Sequence, residues 1–175
     1  MKMQISHLRK KRQTGNAFVE FALTVLPYFA LVFGCLDLGM VVLLDNMLQG
    51  AVREGSRFAI TYGTTFNGQT FSNQTDAIKA AAQSVSLGFL TGTNANYLQV
   101  VFYAPTDLST PLTGANRNAP GNVVEVRVQN FPWNWMVPLP GVMSGTGLTL
   151  GASTSDVLQS LPPGTTSPPT ACAGC

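Results

Sequence analysis

The feature that most restricts this sequence is an uncharged apolar run from Phe21 to Leu36, FALTVLPYFALVFGCL. As a helix these sixteen residues cover about 24 Å, less than the roughly 30 Å hydrocarbon core of a bilayer. Continuing to Leu44 gives about 36 Å, which spans with some tilt if Asp37 lies near the headgroups or faces another protein. The sequence therefore predicts a membrane span over about residues 21–44. A buried core helix of a soluble domain and the apolar core of a signal peptide are the alternatives.

The charges indicate how that span is oriented. Hydrophobic residues make up 45% of the chain and charged residues only 10%, which argues against a simple soluble enzyme. Five of the ten basic residues precede the span, and the rest of the chain has five basic and eight acidic residues. Because basic residues favour the cytoplasmic side, we expect a cytoplasmic N-terminus and an exported remainder. A nucleic-acid surface needs Lys and Arg spread over a folded face, and here half of them are confined to the first twelve residues. No nucleic-acid partner is therefore expected.

The pattern becomes amphipathic after the span. From Val41 to Tyr62 no proline interrupts the sequence, and polar residues recur at every fourth position. The sequence thus predicts one N-terminal helix over 16–62, stopped at Gly63. Its polar face carries Asp45, Gln49, Arg53 and Arg57, and its apolar face carries Leu44, Leu48, Val52 and Ala59.

Residues 64–160 are predicted to form a small extracytoplasmic α+β domain with a short helix and a few antiparallel strands. The helix, 76–87, has Asn73 or Thr75 as its cap, and the stretch 108–120 reads as a long loop. Trp133 and Trp135 are assigned to the core, with a binding role or the membrane surface as alternatives. The tail 161–175 is rich in Pro and Thr and is expected to be extended and mobile. Strands are predicted at 97–103 and 122–129, and a weaker one at 147–152.

A small residue next to a basic head also suggests processing. Secretory leaders are cut after their apolar core, yet here Gly15 and the basic run both precede it. The stretch GNAFVEFALTVLPYFALVFGCLDLG, residues 15–39, resembles the prepilin peptidase site of type IV pilins. Together with AVREGSRFA at 51–59, residues 12–60 resemble the TadE family of minor pilins of the tight adherence (Flp) pilus system.

The resemblance implies cleavage between Gly15 and Asn16, which leaves Glu20, followed by Phe21, as the fifth mature residue. In the pilin family this acid is taken to meet the N-terminal amine of an adjacent subunit. A carboxylate at the centre of a bilayer costs about 2 to 3 kcal/mol, so Glu20 needs a partner or an interfacial position. The alternative is a polar residue that merely marks the cytoplasmic end of the span.

Other residues of the span are candidates for helix geometry and packing. Pro27 removes a helical hydrogen bond and is expected to kink the helix, unless neighbouring groups fill the gap. Ala30 and Gly34 form a small-xxx-small pair that admits another helix, and Asp37 and Gly39 follow as packing positions.

The charged residues of the 51–59 segment do not indicate catalysis. Arg53, Glu54 and Arg57, with Gly55 between them, are interpreted as a solvated or packing face. The sequence contains no pattern typical of a metal site, a nucleophilic triad or a phosphate loop. We therefore expect no enzymatic activity and no cofactor.

The three cysteines carry separate hypotheses. Cys172 and Cys175 form a C-x-x-C pair, either a small disulfide ring or free thiols, and zinc is not expected. Cys35 follows Val32-Phe33-Gly34, and this stretch weakly resembles a lipobox, in which a lipid is attached to the cysteine and the preceding residues are removed. The Asn73-Gln74-Thr75 sequon carries no functional prediction, because the leader indicates a bacterial protein.

The expected function is structural: a minor pilin or pseudopilin that helps to start, cap or couple assembly of a tight adherence pilus. The resemblance implies a single-pass protein of the bacterial inner membrane that either stays at the base of the pilus or enters it. Its expected partners are the prepilin peptidase, other pilins, inner-membrane assembly proteins and the lipid bilayer. The alternatives are an uncleaved membrane scaffold and a lipoprotein anchored at Cys35.

Overall fold

The structure is a computed structural model that describes residues 13–135 and 147–172. It divides into two compact units, and the second consists of Val41–Asn134 with Gly147–Cys175. The fold is α+β, as predicted: a long apolar N-terminal helix is followed by a short helix and antiparallel strands. The elements are α1 (Gln13–Ala59), β1 (Thr65–Phe66), β2 (Gln69–Thr70), α2 (Gln74–Ser84), a 3-10 helix (Gly92–Tyr97), β3 (Leu98–Ala104), β4 (Asp107–Pro111), β5 (Val123–Trp133) and β6 (Leu148–Val157).

Helix α1 ends three residues before the predicted position. Tyr62 has a φ of 55°, and this left-handed conformation closes the last turn with a bond from its N–H to the carbonyl of Ala59 at 3.3 Å. The Tyr62 hydroxyl donates to the carbonyl of Gln159 at 2.9 Å. The side chain is thereby held in the domain, which favours a turn at this point over further helix.

The four larger strands form one antiparallel sheet in the order β4-β3-β5-β6. Val124, Val126 and Val128 of β5 are almost completely buried, which confirms the alternation seen in the sequence. Strand β5 continues to Trp133, past the predicted end at 129. Its register against β6 shifts between Val128 and Phe131, where the regular alternation of the sequence is interrupted. An extra residue in a bulge turns the following side chains back to the core. Phe131 and Trp133 are accordingly buried, as expected for Trp133.

Three short strands, β1, β2 and β4, were not predicted. The sequence Asn67-Gly68 joins β1 to β2 with φ values of 48° and 77°, the conformation that two-residue hairpin turns require. Strand β4 lies in the stretch expected to be a long loop, and it pairs with the end of β3. All five of its residues are exposed, so it has no buried face to create the alternation that marks a strand.

Helix α2 begins at the polar cap expected from the sequence. The N–H of Asp76 donates to the side-chain oxygen of Asn73 at 2.9 Å, which identifies Asn73 as the N-cap. The predicted apolar face is confirmed, since Ala77, Ile78 and Ala81 are fully buried. The helix starts two residues earlier than predicted and ends at Ser84.

A buried polar network joins the end of α1, the start of α2 and the C-terminal tail. The Gln74 side-chain amide donates to the carbonyl of Ala59 at 2.8 Å and accepts from Asn118 at 2.5 Å. Asn118 also donates to the carbonyl of Pro169 at 2.7 Å, and the N–H of Gln74 donates to the carbonyl of Thr170 at 3.0 Å. Within the tail, the N–H of Thr165 donates to the carbonyl of Pro162 at 3.2 Å, and the last described residues are bound to the domain.

Candidate functional site

The N-terminal part of α1 carries apolar side chains that nothing in the described chain covers. Its most apolar 18-residue window has a mean hydropathy of 2.0 and is only 6% buried. Phe18, Leu23 and Leu26 are each more than 70% exposed. A core helix of a soluble domain would bury these side chains, and an exposed apolar surface of this extent is typical of a helix that contacts lipid or another protein. Among the described residues, α1 is the single helix that is long and apolar enough to cross a membrane.

The predicted processing site lies at the start of this surface. Gly15 and Asn16 are exposed within the first turns of α1. Glu20 is also exposed, and its backbone carbonyl accepts from the Thr24 hydroxyl at 2.9 Å. The Glu20 carboxylate forms no ion pair with any residue in 13–135 or 147–172. Phe21, beside it, is 64% exposed, so the Glu-Phe pair is open to a partner.

The middle of α1 contains the predicted kink and packing residues. Pro27 lies inside the helix and is exposed; it has no N–H to donate to the carbonyl of Leu23, one turn earlier. At Gly34 and at Gly39, an added Cβ would meet no heavy atom within 4 Å. Ala30, one turn before Gly34, is exposed, so this surface has room for a closely approaching helix.

Asp37 and Cys35, also in this part of α1, have opposite environments. Asp37 is buried, with 2% of its surface exposed. Cys35 is exposed and its thiol is free. The weak lipobox hypothesis thus concerns a residue in the middle of a continuous helix, where cleavage would remove the preceding part of that helix.

The C-terminal part of α1 is buried in the small domain. A Cβ added at Gly55 would lie 3.1 Å from the Val126 side chain, 3.3 Å from Ala82 and 3.6 Å from Ile78. Gly55 therefore lies directly against α2 and β5, where any larger residue is crowded. The helix residues around it are also buried: Leu44, Leu48, Ala51, Val52, Ser56 and Ala59.

The charged residues of the 51–59 segment lie on the solvent-facing side of α1. Arg53 and Arg57 are exposed, and Glu54 is half-buried. Arg57 and Glu54 are 3.9 Å apart, an exposed pair of the kind that contributes between zero and about 1 kcal/mol. The segment thus places its small residues inward and its charges outward.

Comparison with known families addresses this same helix. Residues 15–57 match the family model described as TadE-like protein. This part of the N-terminal helix is similar to that family. The TadE-like segment covers about a quarter of the chain and contains both the uncovered apolar surface and the packing surface around Gly55. No curated protein and no solved structure matches the chain. The matched segment thus coincides with the one described helix that is long and apolar enough to cross a membrane.

The remaining predicted site residues are the C-terminal cysteines. Cys172 is buried and disulfide-bonded. Cys175 lies outside the described residues, so its pairing with Cys172 stays a prediction. Within the described ranges, no group of three His, Cys, Asp or Glu side chains is placed to hold a metal ion.

Two structurally important residues were missed by sequence reasoning. Gln74 and Asn118 meet across 44 positions of the chain, and no local pattern marks such a contact. In the sequence, Gln74 is marked only as the middle residue of the Asn73-Gln74-Thr75 sequon. Its side chain bonds the last carbonyl of α1, one of the carbonyls at a helix end that lack the regular helical partner four residues later.

Proposed function

We propose that this chain is a structural minor pilin or pseudopilin of a tight adherence pilus, processed by a prepilin peptidase between Gly15 and Asn16. The observation that carries the proposal is the uncovered apolar helix within the TadE-like segment. An apolar surface of this kind can contact lipid in a bilayer and similar helices in a bundle. The same helix can therefore anchor the subunit in the membrane before assembly and pack against other subunits after it.

The proposed orientation places the N-terminus in the cytoplasm and the small domain outside the inner membrane. The five basic residues before the span support this orientation, since only Arg53 and Arg57 lie shortly after it. The partners are then the prepilin peptidase, other pilins, inner-membrane assembly proteins and lipid. The role is structural, and catalysis and cofactors have no part in it.

Glu20 is the proposed assembly residue. Its carboxylate is exposed at the border of the apolar surface, where it makes no ion pair with any described residue. Cleavage after Gly15 creates a free amine four residues away, on Asn16. An opposite charge of this kind, on the same or a neighbouring subunit, offsets the cost of moving the carboxylate into an apolar bundle.

The experiment is mass spectrometry of the mature protein from cells with and without the prepilin peptidase. We expect a mass lower by residues 1–15 only in cells that contain the peptidase. An intact Met1 in both strains would contradict processing and support the uncleaved scaffold. A mature chain lacking residues 1–34 and carrying lipid would instead identify a lipoprotein anchored at Cys35.

Assembly is tested separately with Glu20→Gln, matched by Glu54→Gln on the same helix. Glu54 pairs with Arg57 at the surface, so its substitution controls for the loss of one carboxylate. Glu20→Gln is expected to reduce piliation and recovery of partner pilins, whereas Glu54→Gln leaves both unchanged. Normal piliation in the Glu20→Gln strain would refute the assembly role.

A further inference from the structure

A groove in the small domain lies along the part of β3 that no described strand covers. Its volume is about 300 Å³, at the lower end for ligand sites. Helix α2 forms one wall through Thr75 and Lys79, and β3 forms the floor from Gln99 to Phe102. The segment Pro111–Thr113 and the side chains of Arg117 and Arg127 complete the lining.

The charge of this groove is one-sided. Three of the five basic residues that follow the N-terminal head line it, namely Lys79, Arg117 and Arg127, and none of its lining residues is acidic. Arg127 is engaged with Glu125 at 3.6 Å, and Arg117 lies over the ring of Phe102, 5.5 Å from its centre. Lys79 is half-buried and forms no ion pair with the described acidic residues. The groove is therefore suited to an anionic group next to Lys79.

A buried hydroxyl lies one helical turn from that lysine. Thr75 is 1% exposed, and its Oγ1 has no hydrogen-bond partner among the described residues. Leaving a buried polar atom without a partner is costly, and such atoms in native structures usually have a reason. Thr75 lines the groove, so an acceptor oxygen that bound beside it would give this buried hydroxyl a partner.

The floor of the groove offers backbone groups as well. Strand β4 pairs with β3 only at Tyr103 and Ala104, and the N–H of Leu112 then bonds the carbonyl of Phe102 at 2.7 Å. In a strand, the N–H and C=O of one residue point to the same edge, and this direction repeats at every second residue. Val100 therefore presents its N–H and C=O to the groove, where no described strand pairs with it.

We propose that this groove binds an extended peptide segment bearing carboxylates, which adds to the sheet beside β3. Val100 supplies main-chain hydrogen bonds, and Lys79 and the Thr75 hydroxyl hold a side-chain carboxylate. Strand addition of this kind draws affinity from the backbone and specificity from the flanking side chains. The site is independent of membrane insertion and of processing at Gly15, so it does not rest on the function proposed above.

The test uses the full chain in neutral detergent and the capped pentapeptide Thr-Glu-Val-Glu-Thr, with Thr-Gln-Val-Gln-Thr as the uncharged match. We expect the acidic peptide to bind at least fivefold more tightly and to slow hydrogen exchange at the Val100 amide. Equal binding of the two peptides, or unchanged exchange at Val100, would overturn the proposal. Inorganic phosphate that binds with the same Lys79 dependence and displaces the peptide would identify a small-anion site and also overturn it.

Two substitutions locate the interaction, with a control for charge. Lys79→Gln is expected to weaken the acidic peptide about three- to fivefold, whereas Arg53→Gln, the same charge change on the exposed face of α1, leaves it unchanged. Thr75→Val keeps the shape and removes the hydroxyl, so it should weaken binding without lowering the denaturation midpoint. Identical affinities for Lys79→Gln and the unsubstituted chain would exclude a carboxylate at this position.

Discussion

The close contact at Gly55 gives the sharpest test of how α1 is held in the domain. Replacing a helical glycine with alanine normally stabilises a protein by up to about 1 kcal/mol, since alanine has the higher helix propensity. At Gly55, however, the new methyl group would lie 3.1 Å from the Val126 side chain and 3.3 Å from the Ala82 methyl. Both neighbours are completely buried, so neither has open space to move into.

Gly50 provides the matched control on the same helix. It is exposed, and no heavy atom lies within 4 Å of an added Cβ. Gly50→Ala should therefore show the propensity gain alone, between about 0.5 and 1 kcal/mol. Gly55→Ala has the same gain but also a crowding cost of about 1 to 3 kcal/mol. The difference between the two variants isolates the crowding, and we expect about 2 kcal/mol in favour of Gly50→Ala.

The assay is thermal or urea denaturation of the full chain in neutral detergent, followed by near-ultraviolet circular dichroism. For a domain of this size, 2 kcal/mol corresponds to a difference in Tm of roughly 8 °C. Far-ultraviolet spectra of the folded variants should coincide, because both substitutions favour helix. If Gly55→Ala is as stable as Gly50→Ala, then α1 does not pack against α2 and β5 as closely as described.

Three further predictions concern the same domain. Leu48→Ala should lower the free energy of unfolding by about 2 to 5 kcal/mol, measured by urea denaturation, because Leu48 is fully buried. Asn118→Ala should cost about 2 to 3 kcal/mol in the same assay, since the buried Gln74 side chain loses its donor; a loss below 0.5 kcal/mol would contradict the network. Bonds from the hydroxyl and N–H of Ser109 lower the pKa of Asp107 to about 2, from 3.8. The associated stabilisation is present above pH 3.8 and is lost as the pH falls through about 2, and Ser109→Ala should raise the midpoint of an NMR titration of Asp107.

The sequence predicted the elements whose side chains follow a regular period. In β5, Val124, Val126 and Val128 alternate with polar residues because one face of the strand is buried, and helix α2 follows from a polar cap and an apolar face. Strand β4 has no such period, since it is exposed on both faces and pairs only through its backbone. Its formation depends on a hairpin with β3, from which only two residues separate it, and the side chains of β4 themselves carry no alternation that marks a strand.

The candidate site residues were predictable to different degrees. The long apolar helix follows from an uncharged run that approaches the thickness of a bilayer, whereas Glu20 was singled out by the resemblance to prepilin sites. The contacts of Gly55, in contrast, depend on Ile78, Ala82 and Val126, which the chain brings together only on folding. The groove around Lys79 was not predicted for the same reason: its walls come from α2 and β3 and from the segment after β4.

The position of Gly55 gives the TadE-like segment a physical meaning that sequence similarity alone does not. The match extends from Gly15 to Arg57, beyond the apolar span and into the part of α1 buried in the domain. If the segment served only as a membrane anchor, any apolar residues of suitable size would suffice after the span. Instead, its later residues are small where α2 and β5 approach and charged where they face solvent. The segment is therefore better understood as a helix with two packing surfaces, one suited to lipid or other helices and one that completes the core of its own domain.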